Sequence, residues 1–143
     1  LAEGPVLAAI DARMGELYLG EFEADADGLP RARASESLWP LAEVSTALAT
    51  RWGADGSAAT GSFIGVGTGF AAGEGVWHAA STARFARIDA AALPSAAAVA
   101  RIARRDWHAG LALAADRLEP AYLRDKVALT SAEQAAARAA KPV

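Results

Sequence analysis

Val6-Leu7-Ala8-Ala9-Ile10-Asp11, continued by Ala12-Arg13-Met14-Gly15-Glu16 and Leu17-Tyr18-Leu19-Gly20-Glu21-Phe22, decides the fold. Val6 to Ile10 is continuously apolar and stops at Asp11, the pattern of a short strand buried on both faces. Arg13-Met14-Gly15 reads as a turn, and Leu17 to Phe22 supplies Leu, Tyr, Leu and Phe for a second strand. Working outward, Asp25-Ala26-Asp27-Gly28 is a turn signal, because Asp and Gly tolerate left-handed backbone. Arg31 to Leu38 makes a third strand whose weak alternation suits a sheet edge. Pro40 fits the first turn of a helix, where its missing N–H removes no bond. Leu41, Val44, Leu48 and Trp52 then form one apolar stripe at helical spacing, and Gly53 stands where that helix ends.

Ala54 to Ser62 is small and polar and reads as a loop, and Phe63-Ile64-Gly65-Val66 is a fourth strand leading into Gly67-Thr68-Gly69. Gly73 to Ala83 has no clear pattern, and Arg84 to Ile88 is a further short strand. A second helix runs from Pro94 to just before Gly110, with Ala96, Val99, Ile102, Ala103 and Trp107 expected inward. Arg101, Arg104, Arg105 and His108 share its opposite face. The β-β-β-α-β-α order predicts an α/β lobe with a mixed sheet and ribonuclease-H-like topology, the unit duplicated in the actin-like ATPase superfamily. Residues 1–130 form this lobe, and 131–143 are a tail in which Ser131 and Gln134 have capping-box spacing, giving a short helix or a frayed end.

A chain of 143 residues has room for one domain with a hydrophobic core. The apolar fraction of 53% is inflated by alanine, so the core rests on scattered Leu, Ile, Val, Phe and Trp. No stretch approaches the ~18 consecutive apolar residues of a membrane helix. The absence of cysteine excludes disulfides and thiolate metal sites. A net charge of −3 and a pI near 5.4 do not describe a surface built to neutralise phosphates, so nucleic-acid contact would have to be local or supplied by another subunit. Without a signal-peptide pattern, a cytoplasmic location is expected. The opening Leu1-Ala2-Glu3-Gly4-Pro5 has no methionine and leads straight into the first strand, so a piece of a longer protein is expected.

Three blocks carry a resemblance. They are Val6 to Glu16 followed by Leu17-Tyr18, then Ile64-Gly65-Val66-Gly67-Thr68-Gly69-Phe70, then Glu119-Pro120-Ala121-Tyr122-Leu123-Arg124. In this order and spacing they resemble the second lobe of the bacterial TsaB (YeaZ) family, the last block being similar to its Pro-x-Tyr-Leu-Arg signature. The signature positions are Asp11, Arg13, Gly15, Glu16, Gly67, Gly69, Pro120, Tyr122, Leu123 and Arg124. The resemblance implies a lobe whose own active site has decayed and which binds no cofactor. It implies a supporting role for the paralogue TsaD, with the small ATPase TsaE in the same assembly, in threonylcarbamoylation of tRNA adenosine. It further implies that contacts with TsaD, and those of a homodimer, lie mainly on an N-terminal lobe. That lobe's Gly-Pro-Gly-Ser-Phe-Thr-Gly motif is absent from this sequence, and the likeness of Thr60-Gly61-Ser62-Phe63 to it is read as chance.

An actin-like ATPase needs a glycine-rich turn after its first strand so that backbone N–H groups reach phosphate. Here the turn has one glycine, a bulky Met14 and the repelling carboxylate of Glu16. Arg13 is a candidate anion grip or a solvated arginine, and Gly67, Thr68 and Gly69 are candidate nucleotide contacts or simply a tight strand exit. A two-metal nuclease centre would need clustered carboxylates. Asp11 is suitably placed, with Glu16, Glu21 and Glu43 elsewhere, but the fourth strand ends without an acid. His78 and His108 are far apart in the chain and lack metal-ligand spacing, so the glycoprotease label of some relatives finds no support in ligands. The arginine face is the best candidate for RNA contact, set against an ordinary solvated helix face. Tyr122 is expected to pack inward and Arg124 to meet a carboxylate. The alternatives to a scaffold are a nucleotide- or metal-binding enzyme lobe and a plain self-association module. Apolar residues facing a missing lobe, Trp39 or Trp77 among them, are expected at the surface.

Overall fold

The run that opens at Val6 becomes the middle of the sheet. In the computed structural model, which describes residues 4–52, 63–79 and 84–124 together with position 131, β1 (Val6–Arg13) has a neighbour on each side. It pairs antiparallel with β2 (Glu16–Ala24) and parallel with β5 (Phe63–Val66). β5 in turn pairs parallel with β6 (Phe85–Asp89). At the other edge β2 carries β3 (Pro30–Ala32) and β4 (Ser37–Pro40), both antiparallel. The order β3-β2-β1-β5-β6, with antiparallel strands first and parallel strands after a helical crossover, is that of a ribonuclease-H-like lobe.

Two details depart from the sequence reading. The third strand is two short strands, interrupted at residues 33–36, and among the described residues both pair with β2 alone. An edge segment with one partner has little to hold it in register, and its weak alternation reflects that. Pro40 closes β4 instead of entering the helix, which begins at Leu41, and the Leu41 N–H donates to the Gly15 carbonyl at 2.8 Å.

The core lies on one face of the sheet. Leu7 and Ala9 of β1 and Leu17 and Leu19 of β2 are buried there. Over them packs α1 (Leu41–Trp52), whose Val44, Leu48 and Trp52 are the stripe read from the sequence. Trp52 stacks on Phe63 at 4.2 Å between ring centroids, and Phe85 and Phe70 continue the cluster edge-on, 5.4 Å apart. Side chains of this size stabilise by ~1.5–3 kcal/mol each when fully buried. After β5 the chain makes a kinked 3-10 segment (Thr68–Gly75) and a short α2 (Val76–Ala79), in the region where the sequence showed no pattern. Trp77 on α2 is buried, and Trp39 half-buried, so neither is the exposed apolar residue expected.

The second helix, α3 (Ala96–His108), starts after Ser95, whose side chain accepts from the Ala98 N–H at 3.2 Å, and not at Pro94. Its orientation keeps Ile102 on the covered side and Arg101, Arg104 and His108 outward as expected, but turns Ala96, Val99, Ala103 and Trp107 into solvent. Ala98, Ile102, Arg105 and Asp106 are half-buried, whereas Val99 and Trp107 stand out in solvent. Periodicity identified residues sharing a face but not what would cover it, and an ion pair decides the outcome. Arg105 reaches Asp25 at 3.2 Å and the Pro30 carbonyl at 3.1 Å, fastening α3 to the turn between β2 and β3. The Leu29 N–H does most to hold the Asp25 carboxyl below its ordinary range; burial opposes it, and the Arg105 guanidinium and the Asp27 N–H add to the lowering. A depressed carboxyl stabilises the fold above its unfolded pKa, and the contribution disappears as pH falls through the folded value, below ~4. The thermal midpoint of Asp25→Asn will therefore lie below that of the parent at pH 7, and the gap will close on acidification past that point. Differential scanning calorimetry across pH 7 to 3 checks it.

Candidate functional site

All three signature blocks meet at one end of the sheet, around the turn joining β1 to β2. The turn itself is unusual. Arg13, Met14 and Gly15 all have left-handed backbone, with φ of +63°, +57° and +74°. Met14 and Gly15 are the two residues of the hairpin loop between the paired Arg13 and Glu16, and a two-residue loop that follows the strand twist requires positive φ at both. Gly15 meets that requirement at no steric cost, whereas Met14 does not. A register shift between Asp11 and Arg13 lets Ala12 stay buried while Arg13 turns outward.

Asp11 spends its carboxylate locally. One oxygen accepts from the Arg13 N–H at 2.8 Å and the other pairs with the Arg13 guanidinium at 3.3 Å. Its own N–H donates to the Thr68 hydroxyl at 3.2 Å, which ties the second block to the first. Arg13 is solvent-exposed, and Asp11 is its ion-pair partner. Gly67 and Gly69 lie directly against β1. A Cβ on Gly69 would come within 2.8 Å of the Ala9 carbonyl carbon, and one on Gly67 would overlap the Ala9 oxygen. These two glycines let the strand exit press against the neighbouring strand, which accounts for their identity without a nucleotide.

The third block arrives through Arg124. Its guanidinium pairs with Glu16 at 2.6 Å and donates to the carbonyl of Ala12 at 2.8 Å and of Arg13 at 3.4 Å. Its side chain is 15% exposed, so this is a largely desolvated clamp that closes the turn from the far end of the chain. Pro120 and Tyr122 remain exposed and Leu123 is half-buried; Tyr122, 77% exposed with φ of +41°, does not pack inward as expected. The strip is held by its arginine and not by its aromatic ring. Arg124→Ala will cost about 1.5–3 kcal/mol, the scale of hydrogen bonds to a charged group. It will also make the 119–124 strip a preferred cleavage site in limited proteolysis.

The remaining candidates disperse. Glu21 pairs with Arg51 of α1 at 2.7 Å and accepts from Trp52 Nε1 at 3.4 Å, and Glu43 is exposed in the first turn of α1. His78 Nε2 lies 3.0 Å from the Phe70 carbonyl, and His108 is exposed at the end of α3. Among the described residues no group of three or more His, Asp or Glu is placed to hold a metal ion. Arg101, Arg104, Arg105 and His108 do share one side of α3 beside the Asp27-Gly28-Leu29 turn. Arg105 is committed to Asp25 and Asp106 there. The residue the sequence reading missed is Trp77, whose indole N–H donates to the Gly69 carbonyl at 2.9 Å and so braces the glycine turn from inside the core. An isolated Trp in a stretch without periodicity gives no signal of that role.

No family profile matches the chain. It is 31% identical over 123 residues to the tRNA threonylcarbamoyladenosine biosynthesis protein TsaB of Escherichia coli (strain K12), covering 86% of this chain and 49% of that protein. The chain is TsaB-like. A solved Pseudomonas aeruginosa structure, described as an uncharacterized protein with similarity to peptidase YEAZ, superposes with a TM-score of 0.61 at 30% identity. It is matched over 85% of this chain and 50% of its own. YeaZ from Pseudomonas aeruginosa gives a TM-score of 0.59 at 28% identity, over 83% of this chain and 50% of that one. The chain thus spans about half the length of the TsaB and YeaZ proteins it matches.

Proposed function

We propose that this lobe is a non-catalytic scaffold that supports TsaD in threonylcarbamoylation of adenosine 37 in tRNAs reading codons that begin with A. The observation that carries the proposal is the 31% identity to a TsaB whose name places it in threonylcarbamoyladenosine biosynthesis. The site adds a chemical argument. Asp11, Thr68, Glu16 and Arg124 are engaged with one another or with nearby backbone, and Gly67 and Gly69 press on Ala9. Residues so occupied serve to hold the lobe's end together; they do not make or break bonds in a substrate. In this reading the lobe binds no cofactor and steadies a companion lobe that docks on TsaD, with TsaE joining the assembly. It meets tRNA indirectly and works in the cytoplasm, and a homodimer forms through the companion lobe. No helix among the described residues is long and apolar enough to cross a membrane.

The test is the threonylcarbamoyladenosine content of tRNA, measured by nucleoside mass spectrometry after depletion of the protein. The reading requires a fall in the modified nucleoside and its restoration by a re-expressed copy. Unchanged modification after complete depletion contradicts it.

A further inference from the structure

Met14 carries the only sulfur atom of the sequence, which has one methionine and no cysteine. It stands at the tip of the β1–β2 turn, 74% exposed, with φ of +57°. That conformation suits Gly or Asn. A long side chain kept there at a backbone cost points to a use for the side chain itself. The sulfur lies 3.8 Å from Nη1 of Arg124, the arginine that closes the turn from the far end of the chain. That guanidinium is unevenly served. Nη2 meets the Glu16 carboxylate and the carbonyls of Ala12 and Arg13. Among the described residues, Nη1 has only the thioether sulfur, a weak acceptor, and Nε is buried without a hydrogen-bond partner. The clamp therefore lacks an acceptor on the side that faces Met14, and buried donors of a charged group are normally met.

We propose that Met14 is a site of reversible oxidation to the sulfoxide, and that the added oxygen completes the Arg124 clamp. The oxidant is a peroxide, hydrogen peroxide in the simplest case. The sulfur lone pair attacks one peroxide oxygen, and the S–O bond forms as the O–O bond breaks. The departing hydroxide takes the proton left on the new oxygen, giving sulfoxide and water. Sulfur loses two electrons and the peroxide gains them. A thioether is apolar, whereas a sulfoxide is polar and carries an oxygen that accepts strongly. An oxygen on the Arg124 side of the sulfur brings that acceptor within reach of the guanidinium, in a charge-assisted bond. Exposure admits the oxidant and a methionine sulfoxide reductase, and the hairpin holds the sulfur beside its partner. The 119–124 strip is thus fastened more tightly in the oxidised chain than in the reduced one. This is the reverse of the damage that oxidation does to a methionine packed in a core.

The experiment treats the folded protein with dilute hydrogen peroxide, locates the oxygen by mass spectrometry, and measures how fast chymotrypsin cuts the Tyr122–Leu123 bond. The proposal predicts one added oxygen, on Met14, and cleavage at that bond slowed about tenfold, the factor that one hydrogen bond to a charged group contributes. A methionine sulfoxide reductase restores the original rate. Met14→Leu takes up no oxygen there, and its cleavage does not respond to peroxide. Met14→Gln, whose amide oxygen takes the place of the sulfoxide oxygen, is cut slowly with no oxidant present. In Arg124→Ala the oxygen is still added, but the cleavage rate stays as fast as before. Oxidation that leaves the parent's cleavage unchanged, or speeds it, overturns the proposal. So does a folded protein that takes up no oxygen at Met14, or a Met14→Gln variant cut at the parent rate.

Discussion

Trp52→Ala will destabilise the lobe by about 3–5 kcal/mol, the range for removing a large aromatic from a packed core. Trp52 is 3% exposed at the last turn of α1, stacks on Phe63 at 4.2 Å and meets Phe85 edge-on at 6.3 Å. It is therefore a contact through which the helix meets both parallel strands β5 and β6. Its indole N–H also faces Glu21, which Arg51 holds by an ion pair. Truncation removes both the ring contacts and that donor, and the surrounding rings are too large to collapse into the space. Equilibrium urea denaturation of parent and variant measures the loss. A loss well under ~1 kcal/mol would show that the aromatic cluster is not the centre of the core.

Gly67→Ala is the second large effect, at about 3 kcal/mol or more. Left-handed and extended positive-φ conformations cost a side-chain-bearing residue of order 1–3 kcal/mol, and Gly67 has φ of +109°. A methyl group there would also overlap the Ala9 carbonyl oxygen, which belongs to the central strand and has no room to retreat. The Gly67 N–H donates to the Asp89 carbonyl at 3.0 Å, so any backbone shift that relieved the overlap would also strain the exit of β6. The same denaturation experiment reads it. Gly15→Ala is the control: Gly15 also has positive φ, but a Cβ there meets nothing within 4 Å. The difference between the two variants isolates the close approach from the conformational cost.

These two sites mark what the sequence made legible. The strand at β1 and the spacing of the α1 stripe survive because each is decided by burial against a covered sheet face. The burial of β1 on both faces expected from its continuous apolar run does not: of Val6 to Ile10 only Leu7 and Ala9 face the core, Val6 and Ala8 are half-buried, and Ile10 is exposed. The three signature blocks were recognisable as a set, and Arg124 was expected to meet a carboxylate, which proves to be Glu16. What failed depended on partners that no local pattern encodes. The split of the edge strand at 33–36 and the place of Pro40 follow from pairing with β2 alone. The outward row of α3 follows from Arg105 choosing Asp25, eighty positions away, a pairing that spacing cannot show. Trp77 lies in a segment with no periodicity and was expected at the surface; it packs on Phe70 in the core, and its N–H is satisfied there by the Gly69 carbonyl. Tyr122 failed in the opposite direction, since an aromatic in a signature invites a core assignment while the clamp beside it needs only the arginine. The expected loop at 54–62 and the capping box beginning at Ser131 fall outside the described residues, apart from position 131 itself.

One consequence joins the stability predictions to function. If the polar groups at the sheet end are structural, variants there act on assembly only through the amount of folded lobe. Arg124→Ala should then reduce threonylcarbamoyladenosine in proportion to the folded fraction, with no residual defect once that fraction is restored by lower temperature. A catalytic or ligand-binding role would leave a defect in fully folded protein.

The most direct test of the scaffold account is a calorimetric titration of purified TsaD with this chain and with the two-lobe protein side by side. The account predicts saturable heat with the two-lobe protein and none with the single lobe, because the lobe acts on TsaD through its companion. Tight binding of TsaD by the single lobe, or no binding by either protein, would contradict it.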